Sequence, residues 1–308
     1  MEAAGRQMFL VARLRALRIA VRLLLAALCA AATCASAAGA AREATPLRLM
    51  TYNIRLDLAS DGANAWPHRR AWVASQVEWL RPDLFGMQEV TPGQKAELIA
   101  DLPRYRFIGG GRDDGKEKGE ASPIAFDPKK LELLDSGLFW LSPTPTVPSK
   151  GWDAAYNRVA TWVRLRVRSS KQVVLAVNTH WDHIGIVARQ ESAKQMLGWI
   201  ERNSKPCQPV LLFGDFNSDL DSEQMRLLTG SALGLREARA ASKTTPVGPK
   251  GTFNGFKPDS PAPHAIDHLL LGRGVEVDRY LVLTQVIDGR WPSDHFPVLI
   301  DVTVPACR

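Results

Sequence analysis

From residue 47 onward, short runs in which apolar residues alternate, or follow one another without a break, take turns with segments whose apolar positions recur every three to four residues. Leu47–Asn53 alternates and is rich in residues that suit a pleated strand. Trp66–Leu80 places Val73, Val77 and Leu80 on one helical face, and Asp83–Glu89 reads as the next strand. Thr91-Pro92-Gly93-Gln94 is a helix start, with Thr91 as N-cap, Pro92 at the first helical position and Gln94 closing a capping box. Val173–Thr179 and Val210–Gly214 are continuous apolar strands, and between them Ala188–Asn203 forms a helix with Ala193, Leu197 and Ile200 inward. Asp221 or Ser222 caps a short helix through Leu228, and Ile266–Leu271 and Phe296–Val304 are the last clear strands. Three segments lack this order: 109–120, 142–157 and 242–264. Each adjoins a strand with polar groups at its end, so each is expected to lie over a site rather than to link domains. Residues 47–308 therefore read as one domain.

The first residues are of another kind. Five arginines up to Arg22 precede Leu23–Leu28, and an alanine-rich stretch ends in Ala35-Ser36-Ala37. Basic region, short apolar run and small-residue cleavage site are the order of a secretory leader. A leader over 1–37, a linker over 38–46 and a periplasmic or secreted product without a stable membrane anchor are expected. The leader holds five arginines and one acid, so its removal takes the net charge from +7 to +3. That weakens the case for nucleic acid as partner without excluding it. Cys207 and Cys307 stay in the mature chain, and an oxidising compartment permits a disulfide between them.

Candidate chemistry gathers where the strands end. Apolar runs lead into Asn53, Glu89, His180 and Asp215, the last followed by Phe216 and Asn217. Two later strands invert the order: Asp267 opens one, and Asp294-His295 precedes another. In a mixed sheet arrangement, the C-terminal ends of four strands and the N-terminal ends of two share one edge. A single Asn or Asp after a strand is commonly a turn former or a helix cap. Six such endings, all acid, amide or imidazole, point to a site. Carboxylate and carboxamide oxygens suit Mg²⁺, with Mn²⁺ as substitute, and a histidine near a carboxylate can move a proton.

The ordered set Thr-Tyr-Asn53, Gln-Glu89, Asn-Thr-His180, Gly-Asp215-Phe-Asn217, Ile-Asp267-His and Ser-Asp294-His295 resembles the endonuclease/exonuclease/phosphatase superfamily, the deoxyribonuclease-I-like fold. The resemblance implies a single-domain four-layer α/β sandwich, two packed mixed β-sheets flanked by helices, with the site at one sheet edge. It also implies a Mg²⁺-dependent phosphoric ester hydrolase acting on a phosphate-ester substrate; a monomer is expected. Glu89 resembles the principal metal ligand, with Asn53 beside it and Asp294 on the metal side. His180 resembles the histidine that hydrogen-bonds the phosphoryl group. Asp215 would orient or deprotonate the attacking water, and Asn217 would position phosphate or water. His295 resembles a catalytic histidine paired with Asp267, and the roles of Asp215 and His295 as base stay open.

Substrate-binding candidates are Arg158, Glu120, Asp182 and His183. Arg158 stands at a strand start and either touches the scissile phosphate or is a surface arginine. Glu120 opens another strand, at a position where many relatives carry tyrosine. Asp182 and His183 either extend the phosphate pocket or hydrogen-bond their own loop. Trp152, Trp181 and Trp291 adjoin motifs and either stack on substrate or pack. Nuclease and sphingomyelinase-like activities, and a non-catalytic binding module, are the alternative functions.

Overall fold

The computed structural model describes residues 44–257, 259 and 262–306; the leader expected over 1–37 and Cys307 lie outside them. In chain order the elements are β1 (Thr45–Asn53), a 3₁₀ turn (Ala59–Asn64), α1 (Trp66–Leu80), β2 (Leu84–Gln88), α2 (Pro92–Asp101), β3 (Arg106–Ile108), β4 (Ile124–Phe126), β5 (Leu131–Trp140), β6 (Val159–Val167) and β7 (Val173–His180). They continue with α3 (Ile186–Asn203), β8 (Val210–Asp215), α4 (Glu223–Thr229), β9 (Arg236–Glu237), α5 (Ala238–Ala241), β10 (Asp267–Leu271), β11 (Glu276–Val282) and β12 (Val298–Val304). The strands form two six-stranded mixed sheets, in orders β11-β12-β1-β2-β4-β3 and β5-β6-β7-β8-β10-β9.

Strand alternation decides the layers, because successive side chains point to opposite faces. Leu47 and Leu49 of β1 join Leu84, Val174, Ala176, Leu211, Phe213, Leu269 and Leu271 in the core between the sheets. Their sequence neighbours Met50 and Tyr52, with Phe85 and Met87, meet Val73, Val77 and Leu80 of α1 and Leu98 of α2 on the outside of the first sheet. Leu175, Val177 and Leu212 meet Ala193, Met196 and Ile200 of α3 and Met225 and Leu228 of α4 outside the second. The result is the four-layer α/β sandwich the motifs imply.

The differences from the sequence reading have local causes. β1 begins at Thr45, inside the expected linker, because Thr45 still pairs with Val304. α3 starts at Ile186 rather than Ala188. The side chain of Asp153, from a distant loop, accepts from the backbone N–H of Val187 at 3.2 Å and of Ala188 at 2.7 Å, and so caps the helix. Met196, not Leu197, supplies the inward residue of that turn; Leu197 only flanks the core. Thr91 and Gln94 form the expected capping box, and Ser222 is the N-cap of α4.

One polar bridge ties the sheets together. Asn178 of β7 donates through Nδ2 to Met87 O at 2.8 Å and Pro123 O at 2.9 Å, and accepts from Gln88 Nε2 at 2.7 Å. The close approach needs Gly86, where an added Cβ would stand 2.5 Å from Asn178 Oδ1 and 2.6 Å from Phe213 Cε2. Gly86→Ala should therefore cost about 2 kcal/mol, the scale of overpacking a closed core. Urea unfolding at constant m-value is the check; wild-type stability would contradict the packing described.

Candidate active site

The strand pairing gathers the predicted residues at one edge. β1 and β2 run parallel, as do β7 and β8, so Asn53 stands beside Gln88, and His180 beside Asp215. β10 runs antiparallel to β8, and its first residue, Asp267, pairs with Asp215. Parity then aims the side chains. Asn53 continues the Leu47, Leu49 face, His180 the Val174, Ala176 face, Asp215 the Leu211, Phe213 face, and Asp267 the Leu269, Leu271 face. All four side chains therefore open into the end of the inter-sheet space.

Asp215 is the hub. Its Oδ2 accepts from Asn53 Nδ2 at 2.9 Å and lies 3.5 Å from His180 Nε2 and 3.8 Å from His295 Nε2. Its Oδ1 accepts from the backbone N–H of Asn217 at 2.9 Å, which holds Asn217 in a left-handed turn with φ 46°. Asn217 Nδ2 donates to Trp181 O at 2.9 Å and to His180 Nε2 at 3.1 Å, so this pattern leaves the His180 proton on Nδ1. Burial, and then the adjacent Asp267 charge, push the Asp215 carboxyl up to about 7. Burial and the positive charge of Arg158 hold His180 well below the usual histidine range.

His295 is the opposite case. Burial lowers its affinity for a proton, but the charge and hydrogen bond of Asp267 outweigh that and hold it well above the ordinary value. Its Nδ1 donates to Asp267 Oδ2 at 2.8 Å, and that oxygen also accepts from Thr252 Oγ1 at 2.6 Å. Thr252 comes from the long segment 242–264, and the ring of Phe253 packs edge-on against His295 at 5.0 Å. The segment thus lies over the site, as expected.

Glu89 has φ 62°, a left-handed conformation that a glutamate adopts only when its surroundings enforce it. Its carboxylate accepts from Asn53 Nδ2 at 2.9 Å and from Leu56 N at 3.0 Å. Asp294 is buried, which lifts its carboxyl pKa, and lies 3.7 Å from Arg55 Nη1. Arg69, fully buried, binds the two segments together. Its guanidinium donates to Ile54 O at 2.8 Å and Pro292 O at 2.7 Å, so it sets the Asn53–Arg55 segment against the loop carrying Asp294 and His295.

Among the described residues, Glu89, His180 and Asp215 present donor atoms all within 4.8 Å of one another, and so do Asp215, Asp267 and His295. The donors are mostly hard oxygens, Glu89 is only half-buried, and burial, with the neighbouring carboxylates adding to it, raises Asp215 and Asp294. A divalent cation that keeps some of its waters fits such a set. Asp294 belongs to neither group.

The second wall comes from three loops. Arg158 is buried, its Nε donating to Asp182 Oδ2 at 3.2 Å and its Nη2 lying 3.1 Å from His183 Nδ1. Asp182 Oδ1 accepts from Ile184 N at 3.0 Å and Gly185 N at 2.8 Å. Burial acts to raise that carboxyl, but the backbone N–H groups and Arg158 hold it far below the usual range. Of its two readings, Asp182 takes the loop-bonding one: it orients Arg158. Glu120 precedes a loop bridge rather than opening a strand; β4 begins only at Ile124, and Ala121 bridges to Val90 and Gly111. Trp181 is fully buried with its indole N–H on Met196 Sδ, and Trp291 packs on Phe296, so both are packing residues. Thr252, Arg69 and Arg112 stand in no motif of the sequence, although each touches or braces this edge.

These motifs and their geometry have close counterparts. Residues 50–295 match the model of the Endonuclease/Exonuclease/phosphatase family. An endonuclease/exonuclease/phosphatase family protein of Bacteroides thetaiotaomicron is 35% identical with a TM-score of 0.81, over 86% of this chain and 100% of that one. A mannosyl-6-phosphatase of the same species is 36% identical with a TM-score of 0.78, over 83% and 99%. Protein L388 of Acanthamoeba polyphaga mimivirus is 28% identical over 161 residues, 50% of this chain and 60% of its own length. With the matched region running from the first site strand to His295, the chain belongs to the endonuclease/exonuclease/phosphatase family and is a hydrolase of that superfamily.

Proposed function

We propose that the protein is an exported, magnesium-dependent phosphomonoesterase, with Mn²⁺ able to replace Mg²⁺. The observation that carries this reading is the Asp215 carboxylate, buried within hydrogen-bonding reach of Asn53 and Asn217 and close to His180 and His295. Asp215, with a carboxyl near 7, is poised to take a proton from water at neutral pH. His295, kept protonated by Asp267, faces the same space as an acid. In the proposed step the water oxygen bonds to phosphorus and its proton goes to Asp215. The ester P–O bond breaks, and the departing alkoxide takes its proton from His295. His180 and Arg158 bind the phosphoryl oxygens, and Asn217 holds the His180 ring through Nε2. A magnesium ion held by Glu89, with Asn53 beside it, would supply charge neutralisation on those oxygens and the leaving oxygen.

Similarity to a mannosyl-6-phosphatase over nearly its whole length supports a phosphomonoester over a diester. The small net charge without the leader also supports it against a nuclease reading. The basic, apolar and small-residue order of residues 1–37 supports export.

The test is initial-rate hydrolysis by the purified mature chain of mannose 6-phosphate, p-nitrophenyl phosphate, bis-p-nitrophenyl phosphate and plasmid DNA, with Mg²⁺ and with EDTA. Orthophosphate release from the two monoesters, abolished by EDTA, is expected. Cleavage confined to the diester or to DNA would replace this reading with a phosphodiesterase.

A further inference from the structure

We propose that the Arg112–Glu120 ion pair reads the alcohol half of the substrate, selecting a hydroxyl-rich, uncharged leaving group, such as a sugar, over an apolar or polyanionic one. This rests on the phosphomonoesterase reading above. Arg112 and Glu120 line a narrow cleft together with Glu89, Arg158 and His180. The pair therefore stands on the same wall as His180 and Arg158, the groups placed on the phosphoryl oxygens.

The pair is built into the wall. Arg112 Nη2 and Glu120 Oε1 are 2.7 Å apart, with side-chain exposures of 12% and 15%. The backbone N–H of Arg112 donates to Glu120 O at 2.9 Å, and Arg112 O accepts from Trp140 Nε1 at 2.7 Å. The guanidinium lies 4.6 Å over the Tyr156 ring, and Tyr156 stacks on His183 at 6.0 Å. His183 in turn touches Arg158 at 3.1 Å. A continuous series of contacts therefore joins Glu120 to the guanidinium at the phosphate end.

The chemistry of the pair points to hydroxyls. Arg112 lies against one oxygen of Glu120, and the carboxylate has further lone pairs with which to accept from a ligand donor. A sugar hydroxyl supplies that donor, in a charge-assisted bond. An alkyl chain leaves the carboxylate dry and unpaired, which costs binding. A second phosphate meets two carboxylates, Glu120 and Glu89, on the same cleft.

The experiment compares kcat and KM on a hexose 6-phosphate, on cyclohexylmethyl phosphate, its counterpart without hydroxyls, and on p-nitrophenyl phosphate. Wild type should favour the hexose 6-phosphate over cyclohexylmethyl phosphate by at least about tenfold in kcat/KM, the loss expected when a buried acceptor goes unpaired. Glu120→Gln, with folding checked by its melting temperature, should shrink that preference about tenfold. The change should fall mainly in KM for the hexose phosphate, because a neutral amide accepts a weaker bond. Equal turnover of the two alkyl phosphates by wild type overturns the inference whether or not the variant folds. So does an unchanged preference in a folded Glu120→Gln. In both cases the phosphomonoesterase reading survives. A wild type that turns over none of the three overturns that reading, and this inference with it.

Discussion

Asp215→Asn is expected to lower kcat by about 10³-fold, the middle of the range for losing a positioned general base. The variant keeps the shape of the side chain but not its capacity to take a proton from water. It should also be the more stable protein. Burial and Asp267 hold the Asp215 carboxyl at about 7 in the fold, above its ordinary value of 3.8. A raised carboxyl contributes stability below the unfolded value and loses it as pH rises through the folded one. Above about pH 7 the metal-free wild type carries that unfavourable charge and the amide does not. Metal-free Asp215→Asn should therefore melt higher than wild type at pH 8, with the gap closing toward pH 4. The wild-type rate should fall as pH drops through the ionisation of Asp215, and the residual rate of the variant should lack that acid limb. Equal kcat in a folded variant removes Asp215 from the chemistry.

Glu89→Ala should lower magnesium-dependent kcat/KM by a comparable ~10³-fold, since a bound cation contributes several kcal/mol to a phosphoryl transition state. Its signature differs. The variant should bind Mn²⁺ weakly and regain part of its rate at high metal concentration, because only the holder of the ion is lost. The residue pays for its position with a left-handed backbone, φ 62°, stabilised by Leu56 N and Asn53 Nδ2 on its carboxylate. Glu89→Gln keeps those neighbours near and separates loss of charge from loss of shape. Unaltered Mn²⁺ affinity in folded Glu89→Ala would move the metal elsewhere.

Much of this site was legible because strand periodicity and chemistry coincide. Asn53, His180, Asp215 and Asp267 each share the parity of apolar core residues on their own strand, so a pattern that buries Leu49 or Phe213 also aims the polar side chain. β6 is equally legible in principle, since Val163, Leu165 and Val167 alternate with Trp162, Arg164 and Arg166. The residues that escaped are those whose meaning lies in a distant partner. Arg69 sits on a helix among other charged residues, and its role appears only when Ile54 O and Pro292 O converge on it. Thr252 lies in a Pro- and Gly-rich segment with no periodicity, yet its hydroxyl orients Asp267. Asn178 stands inside the Asn-Thr-His180 motif, but its bridge between the sheets is a contact that strand sequence alone cannot announce. The sequence allows Asp182 two roles, and the turn of Ile184 and Gly185 around its Oδ1 decides between them.

The proposed mechanism rests on one division of labour: Glu89 holds the cation and Asp215 activates the water. Single-turnover release of orthophosphate from a phosphomonoester, measured beside Mn²⁺ binding by electron paramagnetic resonance, tests it on wild type and Asp215→Asn. The variant should bind Mn²⁺ within a few-fold of wild type while the chemical step slows by about 10³-fold. A variant that loses Mn²⁺ binding and recovers its full rate at saturating metal would make Asp215 a ligand rather than the base, and would contradict it.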